Sequence, residues 1–204
     1  MKPVHNSKRE TDLQIIGEWI EPGSRVLDLG CGRGVLLENL RQKRQVNGIG
    51  VDTDVNKVES CVKRGVPVYQ GDAETLLKTF ERAHFDWVIL SRTVQELENP
   101  ATVIEEALRV GKRLAVGFAN HGYWRNRLCT LLSGSPARNE IHPAPWPMQR
   151  PHNPVSIAEF EEFCKEKGLR IIKHKYLGGD WKSELSFRPS LRAAYALYAL
   201  GSEG

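Results

Sequence analysis

The run Asp28-Leu29-Gly30-Cys31-Gly32-Arg33-Gly34 sets an acid ahead of three glycines at alternate positions, D-x-G-x-G-x-G. Glycines so spaced let a chain turn through positive φ and bring bare backbone, with the N–H groups of a following helix, against a ligand. Asp52 stands 22 positions after Gly30, at the end of the next apolar run. A carboxylate there accepts both hydroxyls of a ribose, each charge-assisted hydrogen bond being worth roughly 1.5–3 kcal/mol. Gly71-Asp72 repeats the pattern of a glycine and an acid after an apolar run, and Ser91, Arg92 and Gln95 follow a further one. Together these residues offer the chemistry of holding a nucleoside-bearing ligand. His121, Tyr123, His142 and His152 are further polar groups, each readable equally as an ordinary surface residue.

Such residues have to be presented by alternating elements. Leu13, Ile16 and Ile20 recur at helical spacing behind a polar, basic tail over residues 1–10, and Pro22-Gly23 closes that helix. Arg25 to Leu29 reads as a buried parallel strand, and Val35, Leu36, Leu37 and Leu40 mark the helix after the glycines. Gly48 to Val51 reads as a second strand. Asp54 is placed to cap a helix with apolar face Val55, Val58 and Val62, stopped by Gly65. Val66 to Tyr69, Phe85 to Leu90 and Arg113 to Phe118 are the third to fifth strands. Asn99-Pro100 starts a helix buried through Val103, Ile104, Ala107 and Leu108. Ser156 and Glu159 form a capping box for a helix buried through Ile157, Phe160 and Phe163, and Gly168 ends it. Arg170 to Tyr176 and Ala193 to Leu200 read as a final hairpin at the sheet edge. This alternation predicts an α/β, doubly wound, Rossmann-like fold: one domain over 1–204, with a seven-stranded, mostly parallel sheet and helices on both faces.

The rhythm breaks at Asn120. Residues 124–132 suit a helix, whereas 133–155 hold six of the eleven prolines, so 121–155 is expected to form a basic, Pro-rich lid or insertion. Residues 109–150 carry seven Lys/Arg against the single acid Glu140, a net +6 that leaves −2 for the remainder of the +4 chain. That segment suits an acidic partner, an acidic substrate or a nucleic acid, or simply a solvated face. Cys31, Cys61, Cys129 and Cys164 lie far apart with no Cys-x-x-Cys pair, which reads as reduced thiols and no metal set. The first thirty residues hold no apolar stretch with a cleavage site, and apolar runs elsewhere are short. A soluble, cytoplasmic protein with no membrane partner is expected.

The dinucleotide fingerprint is G-x-G-x-x-G, whereas the form here, G-x-G-x-G preceded by an acid, resembles that of the S-adenosylmethionine (SAM)-dependent methyltransferases of class I. The resemblance implies Asp28 near the amino group of the methionine moiety, Asp52 on the ribose and Asp72 near the adenine amino group. The fourth strand would border the methyl group. SAM or S-adenosylhomocysteine (SAH) would then be held by Asp28, Gly30, Cys31, Gly32, Gly34, Asp52, Thr53, Gly71, Asp72, Ala73, Ser91 and Arg92. Asp28 also suits a cap on the glycine turn, and Asp72 a plain turn residue. Methyl transfer from a sulfonium asks for alignment more than for a strong base, so no catalytic residue is assigned. The Asn-Pro-Pro-Tyr/Phe motif of amino-methylating nucleic-acid enzymes is missing after the fourth strand, which argues against a DNA-methylating reading, and no nucleic-acid partner is expected.

A narrower resemblance runs through nearly the whole chain. It is carried by Asp12-Leu13-Gln14-Ile15-Ile16, Gly23 to Gly32, Arg64-Gly65, Leu90-Ser91 with Thr93 and Gln95, Asn99-Pro100 and Leu108 to Arg113. It continues in Asn120 with Gly122, Trp124-Arg125 and Arg127-Leu128. In these the sequence resembles the MetW proteins of bacterial methionine biosynthesis. The resemblance implies a protein that partners homoserine O-acyltransferase and supports acylation of homoserine, with SAM as a regulatory ligand. A small-molecule methyltransferase is the alternative, and an RNA-binding protein the third class. The sequence departs from the family at Trp146 to Asn153, where the family has a Trp-Tyr-Asp-Thr-Pro-Asn-Ile-His stretch.

Overall fold

The computed structural model describes residues 8–135, 138 and 152–202. In chain order the elements are α1 (Lys8–Trp19), β1 (Arg25–Leu29), α2 (Val35–Arg44), β2 (Asn47–Asp52), α3 (Val55–Lys63), β3 (Val68–Gln70), α4 (Ala73–Leu77), β4 (Phe85–Ser91), α5 (Pro100–Val110), β5 (Gly111–Ala119), α6 (Trp124–Ser133), α7 (Ile157–Glu166), β6 (Leu169–Leu177), α8 (Pro189–Arg192) and β7 (Tyr195–Ser202), with a 3-10 turn at Val94–Glu96. The seven strands form one sheet in the order β3-β2-β1-β4-β5-β7-β6. The first five are mutually parallel. The last two make an antiparallel hairpin, whose β7 inserts between β5 and β6. That hairpin at the edge is the one anticipated from the sequence.

The sheet separates two apolar layers. On one side β-strand side chains pack with α4, α5 and α7 through Leu77, Val103, Ile104, Ala107 and Phe160. On the other they pack with α1, α2 and α3 through Ile16, Trp19, Leu36, Leu40 and Cys61. The chain runs from β1 outward through β2 and β3, then crosses back to lay β4 on the other flank of β1. This reversal opens a crevice beyond the carboxyl ends of β1 and β4, the usual ligand position in open α/β sheets.

The caps read from the sequence are present. The Asp54 carboxylate accepts from Asn56 N at 2.9 Å, and Gly65 has φ +69°. Ser156 and Glu159 close the capping box. Several boundaries and faces differ. α1 begins at Lys8, within the stretch 1–10 expected as a tail, and residues 1–7 lie outside the described residues. α3 buries Cys61, whereas Val55 and Val62 are exposed and Val58 is half-buried. The helix is rotated from its apolar stripe because Cys61 has to pack beneath the glycine turn. In α7, Cys164 is buried and Phe163 only half-buried. β3 is three residues long and starts at Val68, not Val66. Of the expected loop over 133–155, residues 136–137 and 139–151 lie outside the described residues. Its far end is fastened to the fold, as Asn153 N donates to Gln95 O at 2.7 Å and His121 N to Val155 O at 2.9 Å.

Candidate functional site

The glycine turn follows directly from β1. Gly30 N and Cys31 N both donate to Val51 O, at 2.8 and 3.0 Å, which pins the start of the turn to β2. Gly30, Gly32 and Gly34 have φ of +75°, +58° and +74°, a region costly for any residue with a Cβ. The three glycines do different work. A Cβ on Gly30 would lie 2.2 Å from Thr93 Oγ1, and one on Gly34 would lie 2.9 Å from Cys61 Sγ. Those two glycines allow β4's following loop and α3 to close on the turn. A Cβ on Gly32 would meet nothing within 4 Å. The bare backbone of Gly32 therefore faces open space, as does that of Gly71 beyond the end of β3.

Two buried carboxylates back this opening. Asp52 accepts from Gly32 N and from Asp54 N, each at 3.0 Å, and from Lys57 Nζ at 3.5 Å. It thus ties the glycine turn to the start of α3 while retaining lone pairs for a further donor. Asp28 is buried and accepts no hydrogen bond among the described residues, so it does not cap the turn. Burial pushes its carboxyl up to about 7, with the negative charge of Asp52 adding to the rise. An acid held in this way at a crevice is poised for a cationic partner.

The other residues singled out from the sequence divide. Cys31 lies half-buried with Sγ 3.8 Å from Cys61 Sγ, and burial raises both thiols above their usual range. Thr53 is exposed and Gly71 half-exposed. Asp72 caps α4, one oxygen accepting from Thr75 N at 2.9 Å, and Ala73 turns its methyl into the core. Ser91 ends β4 at the crevice. Arg92, with φ +62°, does not reach into open space. Its guanidinium makes a bidentate pair with Asp12, at 2.8 and 2.6 Å, and lies 5.4 Å from the Trp181 ring centroid. Gln95 is likewise committed, accepting from Ala119 N at 2.9 Å. Among the lid-side groups, His121 is exposed, Tyr123 is half-buried and His142 lies outside the described residues.

Asp12, Thr93, Trp181 and Tyr195 were not among the expected site residues. Asp12 is wholly buried on α1, and Ser91 Oγ also approaches it at 3.4 Å. The buried Tyr195 hydroxyl lies beside this cluster, facing Asp12, Ser91 and Arg92, its ring stacked on Trp181 at 4.3 Å. The signal for Asp12 was present, since it falls on the same helical stripe as Ile16 and Trp19. A cavity of about 570 Å³ lies between the glycine turn and α3, with Arg33, Asp54, Lys57, Ser60 and Arg64 in its wall. Its cations are largely matched, Lys57 by Asp52 and Arg64 by Glu38.

The model of the family described as methionine biosynthesis protein MetW matches residues 10–200. The chain belongs to the MetW family. This MetW chain is 36% identical over 120 residues, 55% of its length, to a bifunctional methionine biosynthesis protein MetXA/MetW of Rhodopirellula baltica, of which it spans 19%. It is 32% identical over 185 residues to a ubiquinone biosynthesis O-methyltransferase of Burkholderia pseudomallei, covering 85% of this chain and 76% of that one. A SAM-dependent methyltransferase of Archaeoglobus fulgidus superposes with a TM-score of 0.70 at 17% identity, over 96% of this chain and 94% of that one, a likeness of fold. MetW here sits within the class I SAM-dependent methyltransferase superfamily. No helix among the described residues is long and apolar enough to cross a membrane.

Proposed function

We propose that this MetW chain binds SAM or SAH in the crevice beyond β1 and β4, and that it works in methionine biosynthesis as a cytoplasmic accessory of homoserine O-acyltransferase. The observation that carries the binding site is the opening over Gly32 flanked by two buried carboxylates, one of them without a donor. The residues fit the ligand. Asp52 would receive the ribose hydroxyls, Asp28 the ammonium of the methionine moiety, and the bare Gly32 backbone would admit the ligand closely. Gly71, Thr53 and Asp72 would border the adenine. When bound, SAM supplies an electrophilic methyl group on a sulfonium.

The accessory role is supported by the fused relative, whose name joins MetXA and MetW in one polypeptide. The committed state of Arg92 supports it further. The side chain following β4 is paired with Asp12, which leaves its guanidinium engaged within the fold. The alternative, a small-molecule methyltransferase, is favoured by the likeness to the ubiquinone biosynthesis O-methyltransferase. One mixture separates them: the chain, SAM, homoserine O-acyltransferase, homoserine and acyl-CoA, followed by mass spectrometry for acyl-homoserine and SAH. Faster acylation with SAM left intact is the expected result. SAH formed with a methylated acceptor, and no change in acylation, would establish the methyltransferase instead.

A further inference from the structure

Helix α6 is amphipathic in the inverted sense. On a helical projection Trp124, Leu128, Leu131 and Leu132 fall within an arc of about 100°. These four are 43%, 43%, 80% and 77% exposed. The opposite side carries Asn126 and Cys129, both half-buried, and Asn126 Nδ2 donates to Asn120 O at 3.1 Å, in the segment that leads into the helix. Burial of an apolar stripe is what ordinarily holds a surface helix in place. Here the helix is tied at its start, by Asn126 and Arg127 to the backbone of residues 120–122, and the apolar face is presented outward.

Two arginines border the stripe, Arg125 on one flank and Arg127 on the other. Arg125 lies over the Trp124 ring at 5.4 Å, and Arg127 Nε donates to Gly122 O at 2.7 Å, which fixes its direction. No acidic residue occurs between Glu106 and Glu140. A second copy packed through the same face would set arginine against arginine with no carboxylate between them, so the charge pattern selects a different molecule. The occupant it fits offers an apolar groove rimmed by carboxylates. Only four residues, 120–123, separate the end of β5 from the start of the helix, which places an occupant near the carboxyl edge of the sheet.

We propose that the outward stripe Trp124, Leu128, Leu131 and Leu132, with Arg125 and Arg127, is the docking surface for homoserine O-acyltransferase, an inference that rests on the accessory role proposed above. An exposed tryptophan beside an arginine, as in Trp124 and Arg125, is the pairing enriched at interface centres, and the three leucines add contiguous apolar area around it.

The test uses the whole chain carrying Leu131→Glu with Leu132→Glu, and separately Trp124→Ala, with Val62→Glu as a control at an equally exposed apolar side chain on α3. Because the altered side chains are solvent-facing, thermal unfolding and SAH affinity should match the parent chain. Affinity for purified homoserine O-acyltransferase, read by sedimentation or calorimetry, should fall about tenfold or more in the α6 variants and stay unchanged in Val62→Glu. Binding of the parent chain with undiminished affinity in the α6 variants would overturn the surface while leaving the accessory role intact. Absence of any complex with the parent chain would overturn both. Two further outcomes overturn the assignment: self-association lost in the α6 variants, or α6-dependent binding to phosphatidylglycerol vesicles, without any effect on the acyltransferase.

Discussion

Replacing Gly32 with alanine separates the ligand function of the glycine turn from its folding function. The backbone at Gly32 has φ +58°, and an added methyl meets no protein atom within 4 Å. The cost to folding is then the left-handed conformation alone, about 1–2 kcal/mol. For a chain of this size that corresponds to a melting temperature lower by roughly 2–8 °C. The cost to binding is larger, because the methyl fills the space in which the ligand would rest on bare backbone. Displacing the ligand breaks its bonds to Asp52, and losing two charge-assisted bonds at roughly 1.5–3 kcal/mol each weakens affinity by about a hundredfold or more. Gly34→Ala provides the contrast, since its methyl would lie 2.9 Å from the sulfur of buried Cys61. It should unfold at a clearly lower temperature than Gly32→Ala. Differential scanning fluorimetry and calorimetric titration with SAH read the two effects. A Gly32→Ala protein that binds SAH as the parent chain does would refute the reasoning, as would one destabilised as severely as Gly34→Ala.

Asp52→Ala should lose measurable SAH affinity and also stability, because Gly32 N and Asp54 N both lose their acceptor. Two such bonds set an upper bound of roughly 3–6 kcal/mol, measurable by urea denaturation; full stability would show that the turn is not tied by Asp52. SAH affinity should also depend on pH through Asp28, whose carboxyl lies at about 7 in the free protein. A ligand ammonium binds the ionised form, and only about one chain in ten carries it at pH 6, so affinity should weaken about tenfold between pH 8 and pH 6. The linkage to folding has the opposite sense. A carboxyl raised from 3.8 to about 7 favours the folded state below pH 4 and loses that contribution as pH climbs to 7. Asp28→Asn should therefore raise the melting temperature at pH 8 by removing a penalty of up to roughly 4 kcal/mol while weakening SAH binding; a lower melting temperature would contradict the buried, donor-free placement. Asp12→Ala strands the largely buried Arg92 guanidinium and should cost about 3–5 kcal/mol in denaturant unfolding; a change below about 1 kcal/mol would show the pair to be solvated.

The parallel half of the sheet was legible because each strand ends in its own punctuation. Asp28-Leu29-Gly30, Asp52 with Asp54, and Gly71-Asp72 mark the carboxyl ends of β1, β2 and β3, and the caps fall where Asp54 and Ser156 stand. The order of the last two strands is set by long-range pairing of β7 with β5, over Arg113↔Gly201 to Ala119↔Tyr195, which no local pattern encodes. Periodicity misjudged α3, since its apolar stripe Val55–Val62 gave way to Cys61 under Gly34. At the site, residue types at strand ends located Asp28 and Asp52. They could not show that Arg92 folds back onto Asp12, because that partner comes from 80 positions earlier in the chain. Asp12 itself, an acid on an apolar stripe, was the readable clue to that pair.

Calorimetric titration of the whole chain with SAH at pH 8, followed by competition with SAM and with NAD, measures the claim on which the rest depends. One SAH per chain, displaced by SAM and indifferent to NAD, is the expected result. No saturable binding, or equal displacement by NAD, would contradict an adenosyl-methionine site over Gly32.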